Sequence, residues 1–146
     1  LRSSVLIPQL EELDKKVTQW NKLYNVLNDN LKKQNGIFFP NRDNDEYFVG
    51  SSIQFRIDSL NNEQIKSFIN NCKARGVELK WFGDEKPVAY TSRYDSWKYL
   101  DNIPRLANTL RILAQTFDMR IPLTVTVQDC NIISKTIIEE LQKVQN

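Results

Sequence analysis

Eight apolar residues near the start of the chain, Leu6, Leu10, Leu13, Val17, Trp20, Tyr24, Leu27 and Leu31, recur at alternating spacings of four and three. That period puts them on one narrow stripe of an α-helix, the pattern of a helix packed along its length against a partner. At about 1.5 Å per residue such a helix reaches roughly 40 Å, which is long for a chain of 146 residues. The rest of the chain must cover that stripe or leave part of it for something else. Two partners stay open: the sheet of the same chain, or a domain or second subunit outside it. Pro8 has no amide hydrogen to donate, so it either kinks the helix or marks where the regular helix begins. Asn35 and Gly36 end the helix, glycine being suited to the left-handed position past a helix C-terminus. The chain opens on Leu1 rather than Met, with the helical pattern already running by Val5 and no cap before it. That predicts a longer parent sequence.

Downstream the period changes. Residues Ile37 to Glu46 read as a connection, with Pro40 among Asn and Asp residues. Tyr47 to Asp58 then alternates in the manner of a strand, with Ile53, Phe55 and Ile57 on its buried face and Ser51 and Ser52 at its exposed end. Asn61 or Asn62 caps a second helix whose inner face is Ile65, Phe68, Ile69 and Cys72. Arg75-Gly76 ends it and feeds a strand from Val77 to Phe82. Pro104 suits the first turn of a third helix, predicted to run to about Phe117 along Leu106, Leu110, Leu113 and Ala114. Met119 to Val125 reads as another strand, and Pro122 predicts an edge position or an early end for it. Thr126 with Asp129 forms a variant of the capping box, and the last helix buries Ile133, Ile137, Leu141 and Val144. No repeat and no low-complexity tract interrupts this order. The fold class is α+β. A long N-terminal helix precedes a small, mainly antiparallel sheet of about three strands covered by helices. All 146 residues form one domain, with residues 1–35 as the long helix and 47–146 as a small α/β sandwich.

Composition narrows the chemistry. The chain has no histidine, so it carries no Ser-His-Asp triad, no Cys-His dyad and no His-ligated metal. Cys72 and Cys130 both fall in predicted helices, and neither has a CxxC partner. Free thiols in a reducing cytosol are expected, with a single bridge between them as the alternative. The net charge is +2, with Lys and Arg interspersed among Asp and Glu. No stretch reads as a nucleic-acid surface, and no apolar run is long enough for a bilayer. Chemistry within the chain would have to use carboxylates, Lys or Tyr.

One stretch stands apart. From Gly76 the chain runs as a strand with Val77, Leu79 and Trp81 on one face. It breaks at Gly83 and then loses all periodicity through Tyr90, Thr91, Ser92, Arg93, Tyr94 and Trp97. A long aromatic loop in a small domain is a candidate contact surface. Asp84 to Pro87 reads as a turn. Lys80 and Lys98 read as surface lysines.

The run Arg75-Gly-Val-Glu-Leu-Lys-Trp-Phe-Gly, the run Tyr90-Thr-Ser-Arg-Tyr-Asp-Ser-Trp, and Phe117-Asp-Met-Arg-Ile-Pro-Leu-Thr resemble the C-terminal part of DegT/StrS-type proteins. These are pyridoxal-phosphate-dependent aminotransferases of fold type I, many acting on nucleotide-linked sugars. The helix with Pro8-Gln9-Leu10 and Leu13-Asp14 is similar to the one that joins their large and small domains. The resemblance implies the small domain of such an enzyme. The large N-terminal domain, with the Schiff-base lysine, the acidic partner of the pyridine nitrogen and the phosphate cup, maps onto nothing here. Pyridoxal phosphate would then belong to the full-length enzyme and not to this chain alone, which would be inactive in isolation. The full-length protein would be a cytoplasmic homodimer, passing an amino group from glutamate to a sugar or related keto substrate. In fold-type I enzymes a small-domain arginine often grips the donor's carboxylate, and a planar guanidinium suits that task. Arg93, flanked by Ser92 and Tyr94, is the candidate, with pairing to Asp95 as the alternative. Tyr90, Tyr94 and Trp97 either stack on substrate or anchor the loop. Ser52 and Gln54 are weaker candidates to face the site. The competing reading is a free-standing, non-catalytic binding module that uses the long helix as a dimer seam.

Overall fold

A computed structural model of the chain describes residues 2–43, 45–58, 60–86 and 101–146. Among them are five helices and four strands: α1 (Arg2–Glu11), α2 (Leu13–Leu31), β1 (Ile37–Phe38), β2 (Ser52–Ile57), α3 (Asn62–Ala74), β3 (Lys80–Trp81), α4 (Ala107–Leu113), β4 (Thr116–Arg120) and α5 (Val127–Gln145). The sheet has the order β1-β2-β4-β3 and every neighbouring pair is antiparallel. The α+β architecture predicted from sequence is therefore present, with one more strand than the three expected.

The alternation in β2 does what its period requires. Ile53, Phe55 and Ile57 are buried, while Ser52, Gln54 and Arg56 face the other way. β4 repeats the arrangement: Phe117 and Met119 are buried beside them, and Asp118 and Arg120 share the outer face. Phe117 is the hub of the core. Its ring stacks on Phe55 at 5.6 Å and meets Phe68 of α3 edge-on at 5.6 Å. Burying one such ring contributes about 2–3 kcal/mol. Helices α2, α3 and α5 cover this face through Leu23, Leu27 and Leu31, Ile65 and Cys72, and Ile137 and Leu141. Polar bonds tie the helices to one another. Asn30 donates to Asn131 at 2.8 Å, and Gln64 donates to the Val144 carbonyl at 2.7 Å.

The predicted caps are in place. Asn61 accepts from the amides of Glu63 and Gln64, and Thr126 accepts from the Asp129 amide while the Asp129 carboxylate accepts from the Thr126 amide. Gly36 and Gly76 have φ of 89° and 83°, the left-handed conformation that glycine adopts without steric cost. Cys72 and Cys130 are buried and unpaired.

Four expectations are met only in part or need correction. The single long helix is two helices. Pro8 lies inside α1, and the interruption comes at Glu12, whose φ of −93° and ψ of −2° depart from helical values. The connection beginning at Ile37 opens with two residues that pair with β2, Ile37 opposite Ile57 and Phe38 opposite Arg56. The third helix does not reach Phe117. It is only Ala107–Leu113, because Phe117 is claimed by the core as part of β4. Pro122 does bring an early strand end, yet β4 is central rather than at the edge. Pro122 lies two residues past its last paired position, so no ladder bond is lost.

Candidate functional site

The sheet has helices on one face and a polar surface on the other. At one end of that polar face lies an open depression of about 610 Å³. Trp20 of α2 forms one side. Ser51 and Ser52 at the start of β2 form the second, and Asp118, Arg120, Ile121 and Pro122 at the end of β4 form the third. Ser52 stands directly opposite Arg120 in the ladder, and the Ile121 amide donates to the Ser51 carbonyl at 2.9 Å.

Three consecutive residues of α2 hold these walls. Gln19 donates to the Leu123 carbonyl at 3.2 Å, and the Trp20 indole donates to the Ile121 carbonyl at 2.9 Å. Asn21 works on the opposite wall. Its amide donates to the Phe48 carbonyl at 2.9 Å, and its side-chain oxygen accepts from the Gly50 amide at 2.7 Å. Gly50 is pressed onto α2 so closely that a Cβ there would lie 2.5 Å from Tyr24 Cβ. The tight approach explains a glycine at this position without any appeal to an unusual φ.

The charges in the depression are uncommitted. Among the described residues no hydrogen bond or ion pair engages the Arg120 guanidinium or the Asp118 carboxylate. The two are two residues apart on one strand, about 7 Å between Cα atoms, and they do not form a salt bridge with each other. Arg56 differs, since its guanidinium is held by Asp58. A free planar guanidinium opposite Ser52 is suited to bind a carboxylate or another oxyanion bidentately. The lining holds no nucleophile paired with a base and no lysine, so the depression can bind but offers no amine for a Schiff base. Among the described residues no group of three or more Cys, Asp or Glu could hold a metal ion.

Of the residues singled out from sequence, Tyr90, Ser92, Arg93, Tyr94 and Trp97 lie outside the described residues, as do Asp95 and Lys98. Ser52 lines the depression. Gln54, two residues on, shares its face and is exposed, but lies outside the lining. Lys80 sits on β3 with its ammonium 5.0 Å from the Phe82 ring centre. Asp84 does begin a turn, its carboxylate accepting from the Lys86 amide at 3.3 Å. Sequence reading passed over Asp118, Arg120 and Trp20 as site residues. A signal for the first two was present. Phe117, Met119 and Ile121 alternate as core residues, which leaves Asp118 and Arg120 together on the open face.

A second exposed feature lies on α1. Leu6, Ile7 and Leu10 are 54%, 57% and 65% exposed, and Leu13 at the start of α2 is 44% exposed. Further along the same stripe Leu27 and Leu31 are fully buried. Among the described residues no helix is long and apolar enough to cross a membrane.

No protein-family profile matches the chain, and no curated protein sequence matches it. Solved structures that share its fold include two enzymes. One is an aminotransferase, TlmJ from Streptoalloteichus hindustanus, with a TM-score of 0.75 and 12% identity over 93% of this chain and 34% of that one. The other is 3-amino-5-hydroxybenzoic acid (AHBA) synthase, with a TM-score of 0.71 and 17% identity over 92% of this chain and 36% of that one. The chain thus spans about a third of the length of each enzyme. At these identities the likeness establishes the fold.

Proposed function

We propose that the chain is the C-terminal small domain of a pyridoxal-phosphate-dependent aminotransferase of the DegT/StrS type. The observation that carries this reading is the extent of the structural match. Nearly the whole chain superimposes on a third of an aminotransferase at a TM-score of 0.75. The segments around Trp81 and Pro122, which resemble that family in sequence, sit at β3 and just past β4. The depression does not fit the cofactor, since its lining has no lysine. We therefore assign pyridoxal phosphate to the two thirds of such an enzyme that this chain does not span, and no chemical step to the chain itself. Its own contribution is to bind and orient substrate. The amino donor in this reading is glutamate and the acceptor a nucleotide-linked sugar or a related keto compound. The full-length enzyme would be a cytoplasmic homodimer.

Two arginines are proposed to hold the donor's carboxylates. Arg120 is supported by its free guanidinium in the depression, and Arg93 by the family-like run around it. The exposed stripe on α1 is assigned to the contact with the large domain. The same stripe favours a second reading, a free-standing module that dimerises through α1.

The test is to recover the coding sequence upstream of Leu1 and express whatever frame it opens. A continuous frame carrying a Schiff-base lysine, whose product transaminates glutamate, supports the enzyme reading. In that enzyme Arg120→Gln and Arg93→Gln are each expected to raise the KM for glutamate. A start codon beside Leu1, with a dimer of the 146-residue chain, would overturn it in favour of the module.

A further inference from the structure

Asn35 is the only asparagine in the chain that is followed by glycine. The pair lies in the turn between α2 and β1. Asn35 is exposed, and among the described residues no hydrogen bond engages its carboxamide or the Gly36 amide. The bonds of the turn pass on either side of them. The Gln34 amide donates to the Leu31 carbonyl at 3.1 Å, and the Ile37 amide donates to the Gln34 carbonyl at 3.4 Å. Gly36 has φ of 89° and no Cβ, so no side chain of its own hinders its nitrogen from approaching the Asn35 carboxamide.

We propose that this pair is a site of spontaneous modification, at which Asn35 deamidates through a cyclic imide and the isoaspartyl product loosens β1 from the sheet. The Gly36 amide gives up its proton to hydroxide, and its nitrogen attacks Asn35 Cγ. The new N–C bond closes a succinimide ring, and the Cγ–Nδ2 bond breaks to release ammonia. Water then opens the ring. Attack at Cγ leaves aspartate on an ordinary main chain; attack at the main-chain carbonyl leaves isoaspartate. Overall a water is consumed and an ammonia released, with no oxidant or reductant. One neighbour favours the first step. The Gln34 side chain donates to the Asn35 carbonyl at 3.4 Å, while its own oxygen is held by Gln142 of α5 at 3.1 Å. That carbonyl belongs to the peptide that loses the proton, and a donor on it stabilises the anion that forms.

Position decides the consequence. In isoaspartate the main chain runs through Cβ and Cγ and so gains an atom. Only Gly36 separates that atom from Ile37, which is 7% exposed and paired with Ile57. β1 is only Ile37 and Phe38, too short to absorb the displacement along its length.

Ageing the folded 146-residue chain in mildly alkaline buffer tests this. Mass spectrometry of the tryptic peptide 34–42 should show NH2 replaced by OH at Asn35, in aspartyl and isoaspartyl forms, ahead of every other asparagine. Asn35→Gln should abolish the loss of ammonia from that position. A folded chain that keeps Asn35 while the urea-unfolded chain loses it would overturn the proposal, because the fold would then protect the turn. The second readout is amide NMR of the separated isoaspartyl form. The amides of Ile37, Phe38 and Ile57 should shift there. They should stay in place in Asn35→Asp, which adds the charge without the extra atom. Equal shifts in both, or none in the isoaspartyl form, would overturn the loosening of β1.

Discussion

The Arg75 guanidinium donates to the Glu140 carboxylate at 2.7 Å across 65 residues of sequence, and Glu140 is only 2% exposed. Lys143 reaches the same oxygen at 2.6 Å, and Arg75 uses its other nitrogen on Glu139 at 2.8 Å. Arg75 is the residue that ends α3, so this cluster pins the end of α3 to α5. A buried carboxylate needs such partners, because an unpaired charge in that position is strongly disfavoured. Hydrogen bonds from Lys143 first and Arg75 second hold the Glu140 carboxyl below its ordinary value of 4.5, against burial, which pushes it up.

That shift makes stability depend on pH in a fixed direction. The folded state holds its proton less tightly than the unfolded one, so the contribution is complete above about 4.5 and is lost as pH falls through the lower folded value. Melting temperatures followed from neutral pH into acid should drop along this limb. Glu140→Gln should start lower and show a flatter acid limb. Arg75→Ala should lower the melting temperature at neutral pH more than Lys135→Ala, since Lys135 is 76% exposed and reaches Glu139 no nearer than 3.8 Å. Equal effects of the two would mean that the cluster does not fasten α3 to α5.

Gly50 and Gly76 should fail differently when changed to alanine. At Gly50 the new methyl would meet Tyr24 Cβ at 2.5 Å, and both groups belong to packed backbone elements. Overpacking of that kind costs about 1–3 kcal/mol. At Gly76 nothing lies within 4 Å, but φ is +83°, and the strain is about 1 kcal/mol. Urea unfolding of both variants checks this. The depression adds a second readout, because only Gly50→Ala should disturb the amides of Ser51 and Ser52.

Neither thiol should react in the folded chain. Cys72 is fully buried, and burial, with the Glu140 charge adding to it, pushes its thiol up to about 12. Burial also raises Cys130, with Asp129 contributing. Nucleophilic attack needs the thiolate, so a disulfide reagent should label neither cysteine until denaturant unfolds the chain, and then both together. Fast labelling of one thiol under native conditions would show a local opening at α3 or α5.

Local signals were legible wherever local chemistry decides the outcome. Asn61 and Thr126 cap their helices because their side chains meet amides two or three residues away. Ile53, Phe55 and Ile57 are inside because the strand period is two. Phe117 was misplaced because its spacing from Leu110 and Leu113 also suits a helix. Only its partners, Phe55 at 62 positions away and Phe68 on α3, draw it into a strand. The site divides in the same way. Alternation puts Asp118 and Arg120 on one face, but nothing local announces that the Trp20 indole will meet the Ile121 carbonyl 101 residues later. The stripe from Leu6 to Leu31 had two partners open to it. Within the described residues its later half packs on the sheet and its early half is exposed.

That division yields the last prediction. Leu10 and Leu27 belong to the same periodic stripe, yet one is 65% exposed and the other 1%. Leu27→Ala should destabilise the 146-residue chain by about 2–5 kcal/mol through loss of burial and the cavity left behind. Leu6→Ser combined with Leu10→Ser should change it by no more than about 0.5 kcal/mol, because exposed positions contribute little. In the complete enzyme proposed above the outcome should differ. The double substitution would then remove apolar surface that the large domain covers, and thermal stability should fall there although the isolated chain is untouched. If the isolated chain instead forms a dimer that the double substitution breaks, the stripe belongs to a second copy. Chemical denaturation of the two proteins side by side, with sedimentation of each, separates these cases.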